Sequence, residues 1–196
     1  DIFRISYTGT IYAGKQDPTK ILRALKRMLE EEELDPSRFA LEFFGRYDSS
    51  LQKSIEEYGL ADLVEQKGTL PRAEVRKLQM SSHLLLLLQW EDPEEKGIFP
   101  LKFYEYLDSR RPILATGGVA SSEIAEILKE TGTGSVATDV DEIVNVLKRS
   151  FSSFVSNGAL GFHGDICRIK EYSYLIAAEK LREILDRVAS FDASGE

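Results

Sequence analysis

The chain has 196 residues, 42% of them apolar and 30% charged, with a formal net charge of −8. That length and balance suit a globular core needing no staples, and the acidic surface argues against a general nucleic-acid or anionic-membrane binder. One cysteine, Cys167, excludes an internal disulfide, the separated His83 and His163 argue against a structural zinc site, and no apolar run approaches the roughly 20 residues that span a bilayer.

Strand-like and helix-like segments alternate from the start. Phe3-Arg4-Ile5-Ser6-Tyr7-Thr8 reads as a first strand, and Asp17-Pro18 as the cap and first residue of a helix carrying Ile21, Leu22, Leu25 and Met28 at helical spacing. The acidic run 30–33 reads as a solvated helix end. A second strand, 39–44, stops at Gly45, and a helix follows Asp48-Ser49-Ser50. Residues 63–66 form a short third strand, and Pro71 opens a helix with Val75 and Leu78 facing inward. The unbroken leucines 84–88 show no alternation, as expected of a strand covered on both faces of a parallel sheet.

Gly97 and Pro100 open the next helix, running to Leu107, and 112–115 form a fifth strand. A helix beginning at Ser121-Ser122-Glu123 ends at Thr131-Gly132, and 134–137 make a last short strand. Asp139-Val140-Asp141 has the letters of an Asp-x-Asp metal motif, but Asp139 sits as the N-cap of a helix over 139–154. A glycine-rich connection, 157–164, leads to one amphipathic helix over 165–188, with Tyr174, Ala177, Ala178, Leu181 and Leu185 on one face. Cys167 reads as a small packing residue of that helix, and His83 and His163 as structural or solvated.

Such repeated units predict one Rossmann-like α/β domain over 1–196, a three-layer arrangement of a parallel sheet of about six strands with helices on both faces, plus a long C-terminal helix. Ligands of such sheets bind at the carboxyl ends of the strands. The loops that matter are therefore 8–16, 45–49, 66–70, 89–99 and 116–121.

The segment 97–107 carries the most chemistry. Free N–H groups at the Gly97-Ile98-Phe99-Pro100 helix start suit an anion. Glu105, just over one turn on, sits among Phe99, Leu101, Phe103, Tyr104, Tyr106 and Leu107, where an acid needs a partner or solvent. The pairing suits a nucleotide, with diphosphate at the helix end and ribose hydroxyls on Glu105. Lys102 precedes Glu105 on a similar face, placed to meet phosphate or to pair with Glu105 or Glu94.

The first loop, Gly9-Thr10-Ile11-Tyr12-Ala13-Gly14-Lys15-Gln16, approaches the P-loop pattern, which offers the rival reading of a nucleotide hydrolase. Gln16 stands where a magnesium-binding hydroxyl belongs, Lys15 precedes the helix cap, and the buried strand ends in Leu88-Gln89 without an acid. A non-catalytic Rossmann-like nucleotide-binding module is the other alternative.

The run G-x-x-P-x-K-x-x-E-Y-L (97–107), continued by Arg111-Pro112-Ile113-Leu114-Ala115, resembles the donor-binding segment of GT-B glycosyltransferases of the group 1 (family 4) kind. Tyr7-Thr8-Gly9-Thr10 is similar to the family's first glycine loop, Phe44-Gly45-Arg46 to its second turn, and Gln66-Lys67-Gly68-Thr69-Leu70-Pro71 to its base-recognising segment. The resemblance, looser outside 97–115, runs over nearly the whole chain. It implies the C-terminal half of a hexosyltransferase-like enzyme that takes a sugar from a nucleotide-sugar and transfers it, with retention, to a polysaccharide, lipid or other glycan. It implies donor contacts at Gly9, Thr10, Lys15, Arg46, Gly68, Thr69, Leu70, Gly97, Ile98, Phe99, Pro100, Lys102 and Glu105.

In the family a helix acid at the place of Glu105 binds ribose. Many members carry a second glutamate where Gly97 stands, and Glu94 and Glu95 are out of that spacing, so the sugar-contacting acid is unassigned, as is the catalytic base. Diphosphate leaves without a metal in this scheme, and no other cofactor is implied. A sugar-nucleotide epimerase of the same two-domain fold would share these contacts. The sequence starts at Asp1 almost directly in a strand and reads as a fragment whose partner is an N-terminal acceptor domain. This leaves room for a homodimer of the fragment and for membrane association of the longer protein. A single cysteine and no visible signal peptide fit a cytoplasmic setting.

Overall fold

The computed structural model describes residues 1–92, 94 and 98–193. Six strands, β1 (Phe3–Thr8), β2 (Phe39–Phe44), β3 (Val64–Gly68), β4 (Leu84–Leu88), β5 (Ile113–Thr116) and β6 (Gly134–Ala137), form one sheet in the order β3-β2-β1-β4-β5-β6. Every pairing is parallel, from Phe3 opposite Phe39 to Thr116 opposite Ala137. The strand order reverses between β1 and β4, so the crevice for a ligand opens over the carboxyl ends of those two strands.

The helices are α1 (Thr19–Glu30), α2 (Ser49–Glu57), α3 (Arg72–Ser81), α4 (Leu101–Ser109), α5 (Glu123–Thr131), α6 (Val140–Asn157), α7 (Ile166–Glu171) and α8 (Tyr174–Ala193). One core joins α1, α2 and α6 to one sheet face through Ile21, Leu25, Met28, Leu51, Ile143, Leu147 and Phe154 against Phe3, Ile5 and Leu41. The other packs α4 and α5 against Leu85, Leu87, Ile113 and Ala115 through Phe103, Tyr106, Leu107, Ile124 and Leu128. The five leucines of β4 are at most 2% exposed, which explains a run with no polar face. Each contributes about 2 kcal/mol of burial.

The strands fall where the apolar runs put them, with β3 beginning one residue later and reaching Gly68. Four helix starts use side-chain caps: Asp48 for α2, Ser122 for α5, Asp139 for α6 and Asp165 for α7. Asp17 accepts from Thr19 at the start of α1. Asp139 accepts from the Glu142 N–H, so the Asp-x-Asp letters belong to a helix cap. By contrast, α3 and α4 begin behind Pro71 and Pro100 with no capping side chain.

Several elements depart from expectation. The helix expected from Gly97 starts at Leu101, because Pro100 is extended (ψ 138°) and lies before it. Gly97 and Glu95 fall outside the described residues. On α3, Val75 and Leu78 are only half-buried, and the buried residue is Gln79. The single C-terminal helix is two: it breaks at Tyr172-Ser173, where the Tyr172 hydroxyl meets Glu130 and Ser173 Oγ accepts from the Ile176 N–H. Of α7 only Ile169 is buried, and Cys167 is exposed rather than packed. Tyr174, Leu181 and Leu185 of α8 are 57–65% exposed. In the acidic run, Glu33 is half-buried and pairs with Lys148 instead of being solvated.

Candidate functional site

The exits of β1, β2 and β3 are stitched edge to edge. Gly9 N donates to Phe44 O at 2.7 Å, and Gly45 N to Gly68 O at 2.9 Å. A Cβ on Gly45 would lie 2.1 Å from Gly9 O, so only glycine allows this approach. Gly9 itself has φ +112°, and a Cβ there would meet Lys102 Nζ at 2.8 Å. The bare backbone of Gly9 is the space across which Lys102 reaches from α4 to β1.

Lys102 Nζ donates to the Tyr7 hydroxyl at 2.6 Å and sits 4.0 Å from the ring centroid. Tyr7 in turn donates to Thr10 O at 2.9 Å. Burial brings the Lys102 ammonium down to about 8, opposed by the nearby Glu105 charge. Burial, with Tyr106 close by, pushes the Tyr7 phenol upward, so it stays neutral and able to accept from the ammonium. Lys102 therefore bonds Tyr7 rather than Glu105 or Glu94.

One turn along, the Glu105 side chain is 38% exposed. Its Oε2 accepts from Gln79 Nε2 at 3.3 Å, while Oε1 faces the largely exposed Arg72 guanidinium at 3.8 Å. A pair so exposed contributes less than about 1 kcal/mol. Beneath it, Gln79 Nε2 also donates to Thr8 Oγ1 at 3.1 Å, and the buried Tyr106 hydroxyl accepts from Thr8 N at 3.0 Å. Burial holds the Tyr106 phenol up at about 12.

The remaining candidate residues lie around this centre. Gly68, at φ +77°, turns the chain out of β3 into the exposed Thr69 and Leu70. Thr10 and Arg46 are exposed at the exits of β1 and β2. Lys15 is half-buried with its ammonium 5.3 Å over the Trp90 ring. Ile98, Phe99 and Pro100 lead into α4 and, with Trp90, Gln89, Val119 and Ser122, line a cleft of about 170 Å³ on the β5 side. Two of the lining side chains bond each other: Gln89 accepts from Ser122 Oγ, and it also donates to Gly117 O.

The P-loop reading does not survive this geometry. Gln16 is 7% exposed, donates to Leu88 O at 2.7 Å and accepts from Tyr12 N at 3.0 Å. The side chain at the metal-binding position is a strut between the first loop and β4, and α1 starts only at Thr19. His83 is structural: its Nδ1 accepts from Arg4 N, and it packs on Phe3 and Phe154. Among the described residues no group of His, Cys, Asp and Glu stands ready to hold a metal ion.

Sequence reasoning did not single out Tyr7, Arg72, Gln79 or Tyr106 as site residues. Gln79 had a legible signal, an amide at the i+4 position from Val75 on an otherwise inward face. Tyr7 entered only as part of the first strand and its glycine loop, and Tyr106 only as one of the aromatics of 97–107; the fold shows where their hydroxyls end.

No family model and no curated protein matches the sequence. Solved structures do match in three dimensions. The HepE protein of Anabaena, in complex with UDP-glucose, superposes with a TM-score of 0.70 at 16% identity over 95% of this chain and 49% of that one. Sucrose-phosphate synthase of Thermosynechococcus elongatus gives 0.67 at 17% over 99% and 47%. The α,α-trehalose 6-phosphate synthase of Burkholderia multivorans gives 0.74 at 11% over 97% and 44%.

The fold is one Rossmann-like half of the two-domain GT-B fold. At these identities the likeness is one of fold, and the chain spans about half the length of the structures it matches. Within this fold, Lys102, Tyr7, Glu105 and Gln79 gather where the end of β1 meets α3 and α4.

Proposed function

We propose that the chain is the donor-binding half of a glycosyltransferase, which moves a sugar from a nucleoside diphosphate to an acceptor hydroxyl without a metal. The observation that carries this reading is the arrangement on α4: an uncapped helix start, Lys102 across Gly9, and the half-exposed Glu105 one turn further. Structures of the same fold contain UDP-glucose in HepE, UDP and GlcNAc in the pneumococcal GtfA, and UDP in the S. aureus MnaA protein.

Each part has a physical role in this scheme. The diphosphate sits at the start of α4, where first-turn N–H groups and the Lys102 ammonium meet the charge that develops as the sugar leaves. Ribose hydroxyls donate to the Glu105 carboxylate. The base lies against Gly68, Thr69 and Leu70, next to the uncapped start of α3. Thr10, Lys15 and Arg46 border the path of the phosphates. Acceptor binding and the catalytic base belong to a second half beyond this sequence, so the chain alone binds nucleotide weakly and transfers little. A cytoplasmic site of action belongs to the same proposal.

Calorimetric titration with UDP, GDP, ADP and dTDP, with and without magnesium, tests it. Metal-independent binding of one of them, weakened at least tenfold in Glu105→Ala, is the expected result. Binding that requires magnesium, or that ignores Glu105, would sink the reading.

A further inference from the structure

We propose that Gln79 is a positioning residue that fixes the Glu105 carboxylate and thereby makes the site selective for ribose. The inference rests on the nucleotide reading above and adds to it a residue from α3 that contacts no ligand.

Gln79 is 2% exposed, an unusual place for an amide on a helix whose other inward residues, Val75 and Leu78, are only half-buried. Its burial is stabilising only if the amide is bonded. Both of its donor contacts are known: Nε2 reaches Thr8 Oγ1 at 3.1 Å and Glu105 Oε2 at 3.3 Å. The orientation of the amide is set by chemistry, because an ionised carboxylate only accepts and so must face the NH2 group.

The network behind it is anchored. Thr8 N donates to the Tyr106 hydroxyl, and Thr8 Oγ1 lies 3.2 Å from the same oxygen. Thr8 ends β1, Tyr106 follows Glu105 on α4, and Gln79 comes from α3, so three elements meet at one buried joint. Glutamate has three side-chain torsions and, on a helix surface, many rotamers. The bond to Gln79 pins one carboxylate oxygen inward and leaves Oε1 turned outward, beside Arg72. A carboxylate held this way is ready to accept hydroxyl hydrogens with little rotamer entropy left to lose. Because α3 begins right after Gly68, Thr69 and Leu70, the element that carries the base-binding loop also aims the ribose-binding acid.

The test measures affinity of wild type and Gln79→Met for UDP and 2′,3′-dideoxy-UDP, with thermal unfolding of both proteins as a control. Wild type is expected to favour UDP by at least tenfold, about the value of a hydrogen bond to a charged group. In Gln79→Met that preference should shrink toward unity while dideoxy-UDP affinity changes little. A merely structural role would lower both affinities together and leave their ratio. A ratio retained in Gln79→Met overturns the role of Gln79 alone. Absence of wild-type binding to UDP, GDP and ADP alike overturns the nucleotide reading and ribose selectivity with it; where GDP or ADP binds in place of UDP, the same comparison is made with that nucleotide and its 2′,3′-dideoxy form. A ligand-free measurement stands beside these: the Gln79 side-chain amide protons in the wild-type NMR spectrum should shift in Glu105→Ala. Unmoved resonances would overturn the proposed contact, even where Gln79→Met fails to fold.

Discussion

Lys102 is an ammonium stored in a poor environment, and a diphosphate would improve that environment. Burial brings its pKa from the usual 10.5 to about 8, so at pH 8 half of the molecules hold the proton and at pH 9 about one in ten do. An anion at the start of α4 favours the charged form and restores the proton. Binding should therefore take up protons above pH 7.5. With the nucleotide already fully ionised, affinity should fall about eightfold between pH 7.5 and 9 as the charged fraction drops. Tyr7 does not interfere, because its phenol stays neutral throughout. Calorimetry in buffers of different ionisation enthalpy reads the proton uptake directly. Lys102→Met should bind weakly at every pH in this range and show no uptake.

The same group has a signature in stability. Its folded pKa lies below the unfolded one, so the unfolded chain holds the extra proton between about pH 8 and 10.5, and stability rises with pH through that window. The full effect is about 3 kcal/mol, from a shift of roughly two and a half pH units at 1.36 kcal/mol each. Lys102→Met removes this cost and should unfold at higher urea than wild type at pH 7, with the gap closing toward pH 10. An affinity that is flat from pH 7.5 to 9, or a variant destabilised equally at pH 7 and pH 10, would refute the reasoning.

Gln16→Ser completes the letters of a P-loop, yet it should confer no magnesium-dependent ATP binding in an equilibrium titration. It should instead cost about 1–3 kcal/mol in urea unfolding, by leaving Leu88 O without its donor. Gly45→Ala forces the β1 and β2 exits apart, because its Cβ would stand 2.1 Å from Gly9 O. More than about 2 kcal/mol of stability should be lost, together with nucleotide binding, and a variant as stable as wild type would show that the exits are pliable. Leu86→Ala, at a fully buried position of β4, should cost about 2–5 kcal/mol by thermal unfolding, while a loss under about 1 kcal/mol would mean the two cores close over the gap.

The frame of the molecule was readable because its signals are local. The β4 segment is an unbroken leucine run, β1 and β2 are mainly apolar segments that stop at Gly9 and Gly45, and the caps Asp48, Ser122 and Asp139 bond N–H groups two or three residues away. The segment 97–107 also announced its acid and its lysine, since charged groups among aromatics stand out along the chain. The break at Tyr172-Ser173 was not readable. The helical periodicity runs through it undisturbed and hides the local cap by which Ser173 Oγ accepts from the Ile176 N–H, and the bond of Tyr172 to Glu130 joins residues far apart in sequence.

The α/β layering, the parallel sheet and the loops that gather at its carboxyl end are legible along the chain, because propensity, capping and hydrophobic period are properties of neighbouring residues. It took the folded chain to show that Lys102 answers to Tyr7 instead of Glu105, that Gln16 is a strut and not a metal ligand, and that Gln79 bonds the acid. Those pairings join residues 95, 72 and 26 positions apart. Hydrogen bonds act within about 3 Å, and which distant groups come that close is set by how the helices seat on the sheet.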